Sequence, residues 1–199
     1  MEIDPAKVSA NDVYKTMIRA IAPRPIAWVS TVSPTGATNL APFSYFNGVC
    51  SDPAVLSFSV VNKPDGTPKD TVRNIRANEQ FVVNVVPFFL ADSMAQTAAD
   101  LPYEESEIDA AGLTTIDSVR VSPPRIDGSP IHFECRLFQL IEVGDGPTGA
   151  NLILGKIELI HIHDGALDES GKVDSDLIDL VGRMGGRDYC RTSDRFSVK

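Results

Sequence analysis

Several things are scarce in this 199-residue chain, and each scarcity excludes a class of protein. Its three cysteines, Cys50, Cys135 and Cys190, are odd in number, far apart and without a C-x-x-C pair. Neither a disulfide framework nor a structural zinc site is expected from them, and Cys135 reads as a core residue. Positive charge is also short: 18 Lys and Arg stand against 27 Asp and Glu, for a formal net charge of −9. Nucleic acid is therefore not an expected partner, because phosphate backbones are held by clustered Lys and Arg; an anionic small molecule would need a local basic pocket. No apolar run approaches the roughly 20 residues of a membrane span, so no membrane partner is expected. The opening MEIDPAKVSANDVYKTM has early acidic residues and no apolar core for export, which points to a cytoplasmic location. The length suits a single domain over residues 1–199.

What is present begins with a misleading hexapeptide. GDGPTG, residues 144–149, spells G-x-G-x-x-G, the spacing of a dinucleotide-binding turn. That turn works only where a strand ends and a helix begins, so that free N–H groups face the pyrophosphate. Upstream, His132 to Val143 alternates, with Phe133, Cys135, Leu137, Ile141 and Val143 on one side and Glu134, Arg136 and Glu142 on the other. Downstream, Asn151 to His163 is rich in Ile and Leu, lacks helical spacing and carries Gly155 inside it. Two long strands joined by Asp, Gly, Pro and Thr make a hairpin, not a nucleotide fingerprint.

The rest of the chain reads as mostly strands. A partly helical segment reaches about Ile21, Pro25 to Ser33 forms a strand, Pro34-Thr35-Gly36 turns, and Ala37 to Leu40 returns antiparallel. Pro53 to Val61 and Phe81 to Val86 are further β-rich runs; between them a helix is expected over Asp70 to Asn78, with Val72 and Ile75 on one face. Phe88 to Ala98 reads as another helix, and 101–130 as mixed. Strands adjacent in sequence point to an antiparallel barrel with helices outside it.

Three segments carry candidate chemistry. RPIAWVSTVSPTGATNLAPFSYF, residues 24–46, interleaves small polar and apolar residues. KPDGTPKDTVRNI places Lys69 and Asp70 at a helix start, where free N–H groups and cations suit a phosphate. RMGGRDYCR, residues 183–191, concentrates arginine in an acidic protein. Taken singly, each has an ordinary reading: Trp28 as core, Lys69-Asp70 as a capped helix start, the arginines as solvated surface.

Taken in order, RPIAWVST, NLAPFSYF, PAVLSFSV, KDTVRNI, FVVNVV, GKIELIHIHD and RMGGRDY resemble the flavin reductase-like family of FMN-binding split-barrel proteins over nearly the whole chain. The resemblance implies a mainly β fold, a closed antiparallel split barrel with peripheral helices, forming a homodimer with FMN at the interface. It implies that Trp28, Val29, Ser30 and Thr31 line the flavin, that Asn39, Ala41, Pro42, Ser44, Tyr45 and Phe46 run beside its ring, and that Lys69, Asp70 and Thr71 hold its phosphate. Arg187 and Tyr189 close the site. NADH or NADPH is the expected donor, and a separate monooxygenase or electron-transfer protein an expected partner; a non-catalytic FMN electron carrier is the alternative. His161 is the candidate catalytic residue, contacting nicotinamide or substrate. His161 and His163 are two apart in a strand and would share a face with Ile157 and Leu159, but no third ligand at a telling spacing supports a metal.

Overall fold

The computed structural model describes residues 1–198. In chain order the elements are α1 (Ala10–Ala20), β1 (Ala27–Val32), β2 (Thr38–Phe43), β3 (Phe46–Ser51), β4 (Ala54–Val61), α2 (Asp70–Asn78), β5 (Gln80–Asn84), α3 (Ala91–Gln96) and α4 (Glu107–Ala110). They continue with β6 (Thr115–Ile116), β7 (Arg125–Ile126), β8 (Ile131–Val143), β9 (Ala150–Ile162), α5 (Ser175–Ile178), β10 (Val181–Arg183) and β11 (Tyr189–Arg191). The expected helix Asp70 to Asn78 is present at those bounds. GDGPTG connects β8 to β9 as the turn of an antiparallel hairpin, with Gly144 and Gly146 at positive φ. It opens no α-helix.

Seven strands form one antiparallel sheet in the order β2-β1-β5-β8-β9-β4-β3. Its two edges, β2 and β3, are consecutive in the chain and separated only by Ser44 and Tyr45, so the sheet must curl until its ends meet. Strand pairing does not run between β2 and β3. The seam is instead drawn together by the chain itself, by the Ser59 N–H donating to Tyr45 O at 2.9 Å, and by stacked Phe43 and Phe58, 5.6 Å between centroids. The mainly β split-barrel expectation therefore holds, with the ladder open along one line.

Inside the curl, alternate residues of the strands meet: Val29, Leu56, Phe58, Val60, Phe81, Val83, Cys135 and Ile153 pack with Val72 and Ile75 of α2. Phe58 meets Phe81 edge-on at 5.4 Å, an arrangement aromatic quadrupoles favour. The opposite parity of β1 and β2 is not left to solvent. Ile26, Trp28 and Leu40 pack with Met94, Ile108, Ile126 and Val181 in a second cluster, so β1 is buried on both faces.

Two features differ from simple alternation. Glu134, expected on the charged outer side of β8, has no accessible surface, because the 117–130 segment covers it and donates two backbone N–H groups to it. The β8–β9 register shifts at Glu134/Cys135. Ile157 then packs against the barrel core, whereas His161 and His163 open into a separate cavity. The shared face expected for Ile157 and the two histidines is broken by that bulge.

Candidate functional site

Two adjoining clefts lie along the outer side of β2, sharing Pro42 and Ala98 in their walls. One, of about 70 Å³, is bordered by Asn39, Ala41, Pro42 and the start of α2 at Lys69, Asp70 and Thr71. The other, of about 190 Å³, is bordered by Pro42, Ser44, Arg24, Arg183 and Tyr189. Seven of the sequence-predicted residues, Asn39, Ala41, Pro42, Ser44, Lys69, Asp70 and Thr71, thus meet Tyr189 along one groove, although they come from β2 and the residue after it, from the start of α2 and from β11.

The α2 end of the groove is built for negative charge. Lys69 occupies the N-cap without a side-chain capping bond; its carbonyl accepts the Val72 and Arg73 N–H groups. The N–H groups of Asp70 and Thr71 make no hydrogen bond among the described residues, and neither does the Lys69 ammonium. Asp70, which would repel an anion, is already neutralised: Lys63 lies 3.1 Å from its carboxylate and Arg73 3.2 Å. Lys63 was not singled out from sequence, because its partner stands seven residues away across a Pro-Gly loop. Asn39 donates to Thr71 Oγ1 at 3.0 Å and to Thr31 Oγ1 at 3.3 Å, which ties β2 to the helix start. Glu107 also borders this cleft. It accepts the Leu40 N–H at 3.0 Å, and burial, opposed by that bond and reinforced by Asp70, pushes its carboxyl above the usual range.

At the other end sits a buried cation that sequence reading passed over. Arg24 donates to the carbonyls of Ile18, Ile21 and Met184 and to Ser44 Oγ at 3.2 Å. No carboxylate pairs with it among the described residues. Its hydrogen bonds close the C-terminal end of α1, where helix carbonyls favour a cation. Its guanidinium also lies 5.9 Å from the Tyr45 ring, and burial and Tyr14 raise the Tyr45 hydroxyl pKa. Arg183 donates to the Tyr189 hydroxyl and stacks over its ring.

The remaining predicted residues are placed differently. Trp28, Val29, Ser30 and Thr31 have no accessible surface. Trp28 Nε1 donates to Thr97 Oγ1 at 2.8 Å, Ser30 donates to Pro124 O, and Thr31 accepts from Asn74 at 3.0 Å. They stand behind the groove and do not line it, because β1 is interior on both faces. Phe46 packs against the barrel core. Arg187 is exposed, next to Gly186 of the second cleft. His161 is remote from both clefts, in a third cavity of about 920 Å³ that shares none of their lining residues.

Residues 18–185 match the flavin reductase like domain family. Among solved structures, nitrilotriacetate monooxygenase component B of Bacillus cereus superposes with a TM-score of 0.94 at 33% identity, covering 100% of this chain and 98% of that one. 2-Nitrobenzoate 2-nitroreductase of Pseudomonas fluorescens gives 0.90 at 32% identity, with 100% and 95% covered. A split-barrel-domain protein of Shewanella frigidimarina gives 0.84 at 20% identity over 100% and 98%, which bears on the fold alone. With the family model spanning most of the chain, this protein belongs to the flavin reductase-like domain family.

Proposed function

We propose that the chain is a single-domain, homodimeric FMN-binding oxidoreductase that takes reducing equivalents from NADH or NADPH and supplies reduced flavin to a separate monooxygenase. The observation that carries this reading is the free helix start of α2: two unpartnered N–H groups and an uncommitted ammonium beside an aspartate already paired with two cations. That donor set fits a phosphate monoester, whose dianion helix N-termini and Lys favour. The adjoining cleft, walled by Pro42, Ala98 and Tyr189, offers apolar surface on which the ring system would lie.

Bound FMN would supply the hydride acceptor that the protein's own side chains lack. The chain's residues would do the holding. Lys69 with the Asp70 and Thr71 N–H groups would grip the phosphate, Asn39 would fix the helix start against β2, and Arg24 would keep a positive field beside Ser44 and Tyr45, where a ring gaining negative charge is stabilised. On α1 and at its C-cap, Tyr14, Met17 and Ile21 recur on one face and remain exposed, with Tyr14 bordering the second cleft. That apolar face beside the groove favours a second subunit there.

The likeness to a monooxygenase component supports a flavin-supplying role. Steady-state oxidation of NADH and of NADPH with free FMN tests it: turnover is expected, and a protein that binds FMN but exchanges electrons only with a protein partner would instead be an electron carrier.

A further inference from the structure

A cavity of about 920 Å³, larger than either cleft of the groove, lies apart from them, within the range of small-molecule sites. At its wall stand two histidines from neighbouring strands, His132 on β8 and His161 on β9, paired in register with ring centroids 6.3 Å apart. Each gives one ring nitrogen to a buried acceptor. His161 Nε2 lies 2.6 Å from Glu134 Oε1, and Glu134 also accepts the Val119 and Arg120 N–H groups at 2.8 and 2.5 Å. Burial works to raise the Glu134 carboxyl, but these three donors outweigh it and hold it below the usual range. A carboxylate only accepts, so His161 carries its proton on Nε2. His132 Nδ1 lies 2.8 Å from Asn84 Oδ1. Asn84 uses its amide N–H groups on Trp28 O and Ser30, so its oxygen accepts and His132 carries its proton on Nδ1.

The second nitrogen of each ring, His161 Nδ1 and His132 Nε2, has no protein partner, yet no buried side-chain nitrogen among the described residues is orphaned. Both therefore reach open space on the cavity side. Burial, followed by Arg125 and His161, lowers the His132 pKa to about 4, so that ring is a neutral acceptor. The other ionisable groups at the cavity are Arg125, Asp127, His163 and Asp164. Arg125 is engaged on Asp117 O, and His163 Nδ1 accepts from Gly165. The walls between them are apolar, from Phe89, Ile160 and Leu177. With both rings neutral, the floor offers two lone pairs, and the hydrophobic walls beside it select for donors carried on an apolar frame.

We infer that this cavity is a second small-molecule site, one that takes a flat aromatic alcohol of the dihydroxybenzene type, its hydroxyls donating to His161 Nδ1 and His132 Nε2. The site is independent of FMN binding.

The test is a titration of the full chain with 1,3-dihydroxybenzene and, in parallel, its dimethyl ether, followed by imidazole ¹⁵N resonances, with and without saturating FMN. The diol is expected to move the His161 and His132 signals and to bind about tenfold or more tighter than the ether, which matches the loss of one or two neutral hydrogen bonds. His161→Phe should weaken the diol several-fold and leave the ether nearly unchanged, because His132 Nε2 still accepts one hydroxyl. Equal binding of diol and ether, or no binding of either at millimolar concentration, overturns the inference. Because FMN binding is read separately by fluorescence quenching, its failure is not confused with failure of this site.

Discussion

Replacing Lys69 with alanine isolates the phosphate end of the groove. Lys69 makes no hydrogen bond or ion pair among the described residues, and its carbonyl, which closes the first turn of α2, survives the change. Folding stability should therefore shift by no more than about 0.5 kcal/mol, the ordinary surface range. A charge-assisted hydrogen bond contributes on the order of 1.5 to 3 kcal/mol, which converts to roughly ten- to a hundredfold in affinity. Lys69 is only half-buried, so the lower end of that range is expected. Riboflavin shares the ring and ribityl chain but lacks the dianion, and its binding should barely change. Fluorescence quenching of FMN and of riboflavin by wild type and Lys69→Ala gives the comparison directly. Lys63→Ala is the companion variant: it leaves Asp70 with Arg73 alone, returns negative charge to the helix start, and should likewise weaken FMN more than riboflavin. If Lys69→Ala weakens both ligands equally, the residue supports the ring pocket or the fold, and the phosphate cradle lies elsewhere.

Three further outcomes follow from the packing. His132 is held neutral, with a pKa lowered from 6.5 to about 4 by burial, Arg125 and His161; the unfolded chain binds a proton through that window and the folded chain does not. Its contribution, about 3 kcal/mol at most, is therefore present above pH 6.5 and lost as pH falls towards 4, so urea midpoints should drop across that interval and His132→Asn should flatten the drop. Trp28→Phe removes the bond to Thr97 in a site without accessible surface, and should cost about 1 to 3 kcal/mol in chemical denaturation while leaving the FMN dissociation constant unchanged; a large loss of affinity would restore Trp28 to the ligand surface. Gly155→Ala would drive a Cβ into the ring of buried Phe81, and a loss of about 1 to 3 kcal/mol is expected by overpacking; a neutral result would mean that Phe81 has room to move.

Local signals carried much of the fold. The α2 bounds followed from Val72 and Ile75 on one face, and the β8–β9 hairpin from alternation on both sides of GDGPTG. β3 went unseen, because its residues Asn47 to Ser51 are exposed and carry no alternation. The open seam was beyond reach for a related reason: whether β2 and β3 pair depends on how the sheet curls, not on any local pattern. At the site, Lys69, Asp70 and Thr71 were legible because a helix start leaves a mark in three consecutive residues. Lys63 and Arg24 were not, since their roles arise from partners brought in by the fold: Asp70 across a loop, and Met184 from 160 residues away. Glu134 misled for the opposite reason. A glutamate in an alternating strand reads as outward and solvated, and only the covering 117–130 segment makes it a buried acceptor.

The most direct measurement is anaerobic spectrophotometry of the purified chain with equimolar FMN, first for fluorescence quenching and then for bleaching of the flavin absorbance on adding NADH and, separately, NADPH. Quenching at micromolar protein, followed by bleaching with at least one of the two donors faster than in the protein-free control, is the expected result. A protein that leaves FMN fluorescence unquenched at micromolar concentration, or that binds FMN without accelerating its reduction by either nicotinamide, would contradict the proposed oxidoreductase activity.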